Sequence, residues 1–284
     1  MQASQELLAL GAAMAWGTAD FLAGVATRRH HPAVVVFAVQ AIGLAAVVPF
    51  WVVLDRGRSA YAPLVAAGLA MAVGLGALYR GLARGPIRIV APVTALGAGV
   101  PVVFGAFRGE ELSATQAAGV ALGLVGIVAL TASERGETSL GQRPLVGAVA
   151  HGAVAALGLG SSVALLGSAG ESGPFAATGL VRLVAAALAG AVALAVARRR
   201  RRAGRGSDRR ALALLGGAGV LDATANAALV LAAARGTVGS SGFLASLYPA
   251  VTVLLGVAIL GERLDRRQVG GFALVLAGVA LVRG

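Results

Sequence analysis

Residues 109–119 read Gly109-Glu110-Glu111-Leu112-Ser113-Ala114-Thr115-Gln116-Ala117-Ala118-Gly119, and residues 261–271 read Gly261-Glu262-Arg263-Leu264-Asp265-Arg266-Arg267-Gln268-Val269-Gly270-Gly271. Both fit Gly-Glu-x-Leu-x-x-x-Gln-x-x-Gly. In each copy one apolar run ends and another begins. Upstream, Ala83-Arg84-Gly85 recurs as Ala234-Arg235-Gly236, again between apolar runs. If the apolar runs cross a bilayer, an odd number of crossings separates the copies, so the two halves face opposite ways. Inverted repeats of this kind characterise carriers that work by alternating access.

Composition sets the class. The chain is 58% hydrophobic and 13% charged, with a mean hydropathy of +0.85. A soluble domain of this size lacks the interior to hide that much apolar surface. The apolar residues come in runs of about 20, enough to cross a hydrocarbon core of roughly 30 Å. The runs fall at about 7–26, 33–53, 62–82, 87–107, 114–132, 144–166, 174–197, 211–233, 238–260 and 268–282. Lipid offers the backbone no hydrogen-bond partner, so each run is expected to be helical. The expected fold is an all-α integral membrane protein of ten transmembrane helices in two inverted five-helix repeats. The repeats are placed at 1–132 and 144–284, joined by a polar linker at 133–143.

The repeat extends beyond its opening motif. Pro32 opens the second run and Pro174 the seventh, and counting on from each brings Gln40 opposite Arg182. Gly119 and Gly126 correspond to Gly271 and Gly278. One register slip between residues 88 and 109 is needed. Most of the 42 glycines are read as packing positions, where small residues let helix backbones approach in a membrane.

The net charge of +12 suggests nucleic acid, but the placement of the charge argues against it. All 24 basic residues are Arg, and nearly all lie in short loops between runs, which is the topology signal of an inner-membrane protein. Most sit in loops 1–2, 3–4, 5–6, 7–8 and 9–10, with the densest run from Arg198 to Arg210. The positive-inside rule makes those loops cytoplasmic and both termini external. Cysteine is absent, which excludes disulfides and thiolate chemistry. With no Lys there is no Walker motif. The start, Met1 to Glu6, lacks the basic region of a signal peptide, so the first run is expected to be retained.

Together with Ala15-Trp16-Gly17 on the first run and Tyr248-Pro249 on the ninth, the two long motifs make the chain resemble the EamA family of the drug/metabolite transporter superfamily. The resemblance covers essentially the whole chain. It implies ten helices in two inverted repeats around a central cavity, with both termini inside the cell. It also implies carrier-mediated movement of small metabolites or drug-like compounds, often as export. The chain departs from the family pattern in carrying Asp20 after Trp16-Gly17. Its first repeat also lacks a close counterpart of Tyr248-Pro249.

An ionisable group deep in a membrane helix is costly, so its presence invites a functional reading. Four stand well inside runs: Asp20, His151, Arg182 and Asp222. From the rise per residue, Arg182 and Asp222 lie about 12 Å and about 13 Å from the same face, so they can meet near mid-bilayer. Asn226 follows Asp222 by four residues and shares its helix face. Arg182, Asp222 and Asn226 are therefore expected to line the cavity, with Arg182 binding an anionic group bidentately and held by Asp222 when the cavity is empty or, alternatively, forming a purely structural pair with Asp222. Gln40, the repeat mate of Arg182, and the deep aromatics Trp16 and Tyr248 join them as cavity residues. Asp20 is a candidate proton-coupling site, unless it pairs with an Arg of the first loop such as Arg28 or Arg29, or is a polar cap facing the cavity mouth. His151 is a second coupling candidate, against the alternative of an interhelical hydrogen bond. Pro92, Pro101 and Pro249 interrupt helix hydrogen bonding and mark hinges or static kinks. Glu110 and Glu262 are expected to cap the N-termini of the fifth and tenth helices.

These residues are too scattered along the chain for a membrane enzyme, so no catalytic residue, cofactor or metal is assigned. The expected function is a secondary-active transporter in the cell's inner membrane, a monomer or homodimer, with a small-molecule substrate and no nucleic-acid partner. A polar-lipid flippase and a non-transporting scaffold or sensor are the alternatives.

Overall fold

A computed structural model describes residues 2–27, 30–55, 61–84, 87–131, 142–169, 173–199, 209–260 and 264–283. Glu262, Arg28, Arg29, nearly all of the 133–143 linker and most of the Arg198–Arg210 run lie outside them. Among the described residues there are twelve α-helices, one 3-10 turn and no strand.

The first half contains α1 (Gln2–Thr27), α2 (Pro32–Leu54), α3 (Tyr61–Arg84), α4 (Ile87–Ala95), α5 (Val100–Phe107) and α6 (Ala114–Thr131). The second contains α7 (Gln142–Gly167), α8 (Pro174–Arg199), α9 (Arg209–Ala233), α10 (Val238–Ala245), α11 (Tyr248–Leu260) and α12 (Arg266–Arg283). These helices track the apolar runs to within about five residues at each end. Where the runs stop, capping chemistry takes over. His31 accepts a hydrogen bond from the Ala33 amide at 3.2 Å through Nδ1, and Pro32 opens α2, where its missing N–H costs nothing.

Seven helices are long and apolar enough to cross a membrane, and Val93–Phe107 and Ala114–Leu130 are shorter apolar helices. The fourth run of each half is discontinuous. In the first half, a 3-10 turn at Leu96–Gly99 separates α4 from α5, and Pro101 is the second residue of α5. In the second, Ser246 and Leu247 separate α10 from α11, and Pro249 is the second residue of α11. Proline there lacks the N–H that would continue the ladder into the preceding helix. Both repeats thus carry a break in the corresponding helix, although the first half has no Tyr-Pro pair at its break.

The halves interlock. Helix α1 packs on α9, α2 on α8, α3 on α7 and α6 on α12. Matching α1–α3 to α7–α9 and α6 to α12, this pairing maps onto itself when the halves are exchanged, as an inverted pseudo-twofold requires. The α6–α12 contact shows why glycine is placed there. Gly119 faces Gly278 and Gly126 faces Gly271, and a Cβ on any of the four would come within 2.8 Å of the opposing carbonyl oxygen. Backbone-to-backbone packing of this kind holds helices together where lipid supplies no hydrophobic drive.

Candidate functional site

A cavity of about 470 Å³ lies between the halves. Its walls come from α1, α2 and α3 of the first half and from α7, α9 and the start of α11 in the second. It runs from Trp16, Gln40 and Asp222, well inside their helices, and Tyr248 at the start of α11 to Thr27 and Pro32, where α1 ends and α2 begins. The remaining lining is mostly aliphatic, including Val35, Val39, Met71 and Leu75.

Three polar side chains from three helices meet at the deep end. Arg182 Nη2 on α8 lies 2.7 Å from Asp222 Oδ2 on α9. Arg182 Nη1 donates to Gln40 Oε1 on α2 at 3.2 Å, and Gln40 Nε2 makes a long contact of 3.5 Å to Asp222 Oδ2. Asp222 and Gln40 line the cavity, whereas Arg182 is 0% exposed and stands behind them. The expected meeting of Arg182 and Asp222 is therefore present. The guanidinium faces a carboxylate and an amide within the helix packing, the arrangement expected of the empty cavity. Gly43 makes this possible: a Cβ there would overlap the guanidinium.

Next to this triad, Trp16 Nε1 donates to Asn226 Oδ1 at 3.1 Å. Trp16 also meets Tyr248 edge-on, with ring centroids 6.0 Å apart and planes at 71°. Trp16 and Tyr248 line the cavity, and Asn226 is 0% exposed and braces the indole from behind. A close approach of α1 to α11 sets this corner. A Cβ on Gly17 would collide with Tyr248 O and Val251, and Thr252 Oγ1 donates to Gly17 O at 3.0 Å.

Asp20 lies one turn beyond Trp16 on α1 and is exposed to the cavity. Among the described residues it has no hydrogen bond or ion pair. Arg28 and Arg29, its alternative partners, lie outside those residues. His151 is elsewhere. Its Nδ1 is 2.6 Å from Gly147 O on the same helix, its Cβ packs on Gly81 of α3, and it is not part of the cavity wall.

The opposite face of the bundle is pinned by carboxylates that cross between the halves. Glu110 accepts from the amides of Val238 and Gly239, both at 2.8 Å. This corrects the expected cap: Glu110 serves the N-terminus of α10 in the second half and not that of α6. The α6 N-terminus has its own capping box, in which Gln116 N donates to Ser113 Oγ at 3.2 Å and Ser113 N to Gln116 Oε1 at 3.1 Å. Asp265 and Gln268 repeat that box at α12. Both copies of the motif thus use their Gln for capping. The sequence signal is Ser or Asp followed three residues later by Gln, at Ser113–Gln116 and Asp265–Gln268.

Asp55, at the end of α2, accepts from the amides of Phe175 and Ala176, both at 2.7 Å, and so caps α8. Gln5 Nε2 donates to Ser240 Oγ at 2.7 Å and Ser241 Oγ at 3.0 Å, tying α1 to α10. No local pattern announces Asp55 or Gln5, because their partners lie at least 120 residues away.

The model of the EamA-like transporter family matches residues 3–132 and 147–284, one match for each half. Among solved structures, a chain described only as "Crystal structure of protein" is similar, with a TM-score of 0.81 at 21% identity. The match covers 98% of this chain and 96% of that one, and at this identity it shows the fold alone. No curated protein matches the chain.

Proposed function

Since the chain belongs to the EamA-like transporter family, we propose that it is a secondary-active carrier that exports a small metabolite or drug-like compound by alternating access. The observation that supports this best is a cavity of about 470 Å³ walled by both halves, with the Arg182, Asp222 and Gln40 triad at its deep end. In this reading the polypeptide crosses the bilayer ten times, as repeats 1–132 and 144–284, in the inner membrane. Each discontinuous helix pair, α4–α5 and α10–α11, counts as one crossing.

The cavity reaches the face where α1 ends, while Glu110, Asp55 and Gln5 bind the halves together at the other face. Alternating access then requires these cross-half bonds to release as the first face closes. Substrate meets Trp16, Tyr248, Gln40 and Asp222 at the cavity walls, with Arg182 and Asn226 positioning them from behind. Asp20 carries the coupling proton, being a carboxyl in the transport path. His151, held to its own helix backbone, is left to packing.

Reconstitution into proteoliposomes tests the reading. Wild-type protein should exchange substrate across the bilayer and respond to an imposed pH gradient. An Asp20→Asn variant that kept full dependence on that gradient would remove the coupling assignment. Absence of any exchange by folded protein would remove the carrier assignment.

A further inference from the structure

The charges around the cavity specify a substrate class. Asp20 and Asp222 are the charged residues of its described wall. Arg182 does not face it: the guanidinium is 0% exposed and committed to Asp222 and Gln40. Arg182 and Asp222 neutralise each other, which leaves Asp20 as the carboxylate of the wall with no paired cation among the described residues, in a mostly apolar chamber. Among the described residues, a carboxylate-bearing or phosphate-bearing ligand would meet two acids on that wall and no accessible cation. An unmatched ligand charge in such a site is costly, so the sign of the wall selects the sign of the ligand.

The aromatics strengthen the selection. Trp16 precedes Asp20 by four residues and so shares its helix face, and Tyr248 meets Trp16 edge-on. The indole is braced by Asn226, so its orientation is set before any ligand arrives. An organic cation between Asp20 and the Trp16 face gains both a charge partner and a cation–π contact, while its apolar body lies against Val35, Val39, Met71 and Leu75.

We propose that the cavity takes a hydrophobic organic monocation, with Asp20 as its charge partner and Trp16 as its aromatic platform. The proposal rests on the carrier reading above and narrows its substrate.

The test uses three ligands of similar size: phenyltrimethylammonium, its uncharged isostere tert-butylbenzene, and benzenesulfonate. Binding to the detergent-purified full chain is measured by isothermal titration. The expected result is binding of the ammonium only, weakened at least tenfold in Asp20→Asn and restored in Asp20→Glu, with each variant eluting and melting as a folded protein. Equal binding of ammonium and tert-butylbenzene overturns the proposal, since the chamber would then read shape alone. Binding of benzenesulfonate that is lost in Arg182→Gln also overturns it, while leaving the carrier reading intact. Silence across the series overturns it too, and exchange in proteoliposomes then decides separately whether the protein is a carrier.

Discussion

Asp222 holds the Arg182 guanidinium at 2.7 Å across the α8–α9 boundary, and this contact keeps the cation out of the cavity. Removing one member of a buried pair leaves an uncompensated charge, at a cost of about 3–5 kcal/mol. Asp222→Asn should therefore lower the thermal unfolding midpoint in detergent markedly. The double variant Asp222→Asn with Arg182→Gln should recover much of the loss, because no buried charge is then left alone. A double variant no better than the single one would contradict this role for the pair.

Gly43 provides the space in which Arg182 lies. Gly43→Val forces the guanidinium from its place between Gln40 and Asp222, or forces α2 away from α9. Overpacking of this kind costs about 1–3 kcal/mol. Thermal unfolding should show that loss, whereas Gly11→Val, at a position where a Cβ meets nothing within 4 Å, should be nearly neutral.

The α10 N-terminus depends on a carboxylate from the other half. Glu110→Ala removes a cap worth about 0.5–2 kcal/mol and loosens the face where Val238 and Gly239 sit. The chain has no cysteine, so a single Ser240→Cys reports on that face cleanly. Its reaction with a membrane-impermeant maleimide should accelerate in the Glu110→Ala background. An unchanged rate would mean that the Glu110 bonds do not help to close this face.

Helix positions were legible because a bilayer demands long apolar runs and leaves the backbone no alternative to helix. The Arg182–Asp222 meeting was legible for a related reason: depth follows from residue count, and two opposite charges at one depth seek each other. That Arg182 would be fully covered was not legible, since burial there depends on Gly43 and on how α2 approaches α8. Proximity in sequence points Glu110 to the nearest helix, α6. In the structure its partner is 128 residues away, and interlocking halves put distant helix ends closer than adjacent ones. The breaks at Leu96–Gly99 and Ser246–Leu247 lie within apolar runs, so hydropathy passes over them and only the prolines hint at them.

Orientation is testable from the arginines. Their concentration in the loops that include Arg198–Arg210 predicts that this face is cytoplasmic. A single cysteine at Gly206 should then resist impermeant reagents in intact cells and react in inside-out vesicles. Labelling in intact cells would instead support the orientation implied by the family resemblance, with both termini inside.

The central claim is that a cavity lined by Asp20 carries a substrate across the membrane. Counterflow of radiolabelled phenyltrimethylammonium in proteoliposomes tests it most directly, since exchange needs no assumption about the coupling ion. Liposomes containing wild-type protein should accumulate label well above protein-free liposomes, with Asp20→Asn reduced at least tenfold. Accumulation equal in wild-type, Asp20→Asn and protein-free liposomes, with the protein shown to be folded, would contradict the account.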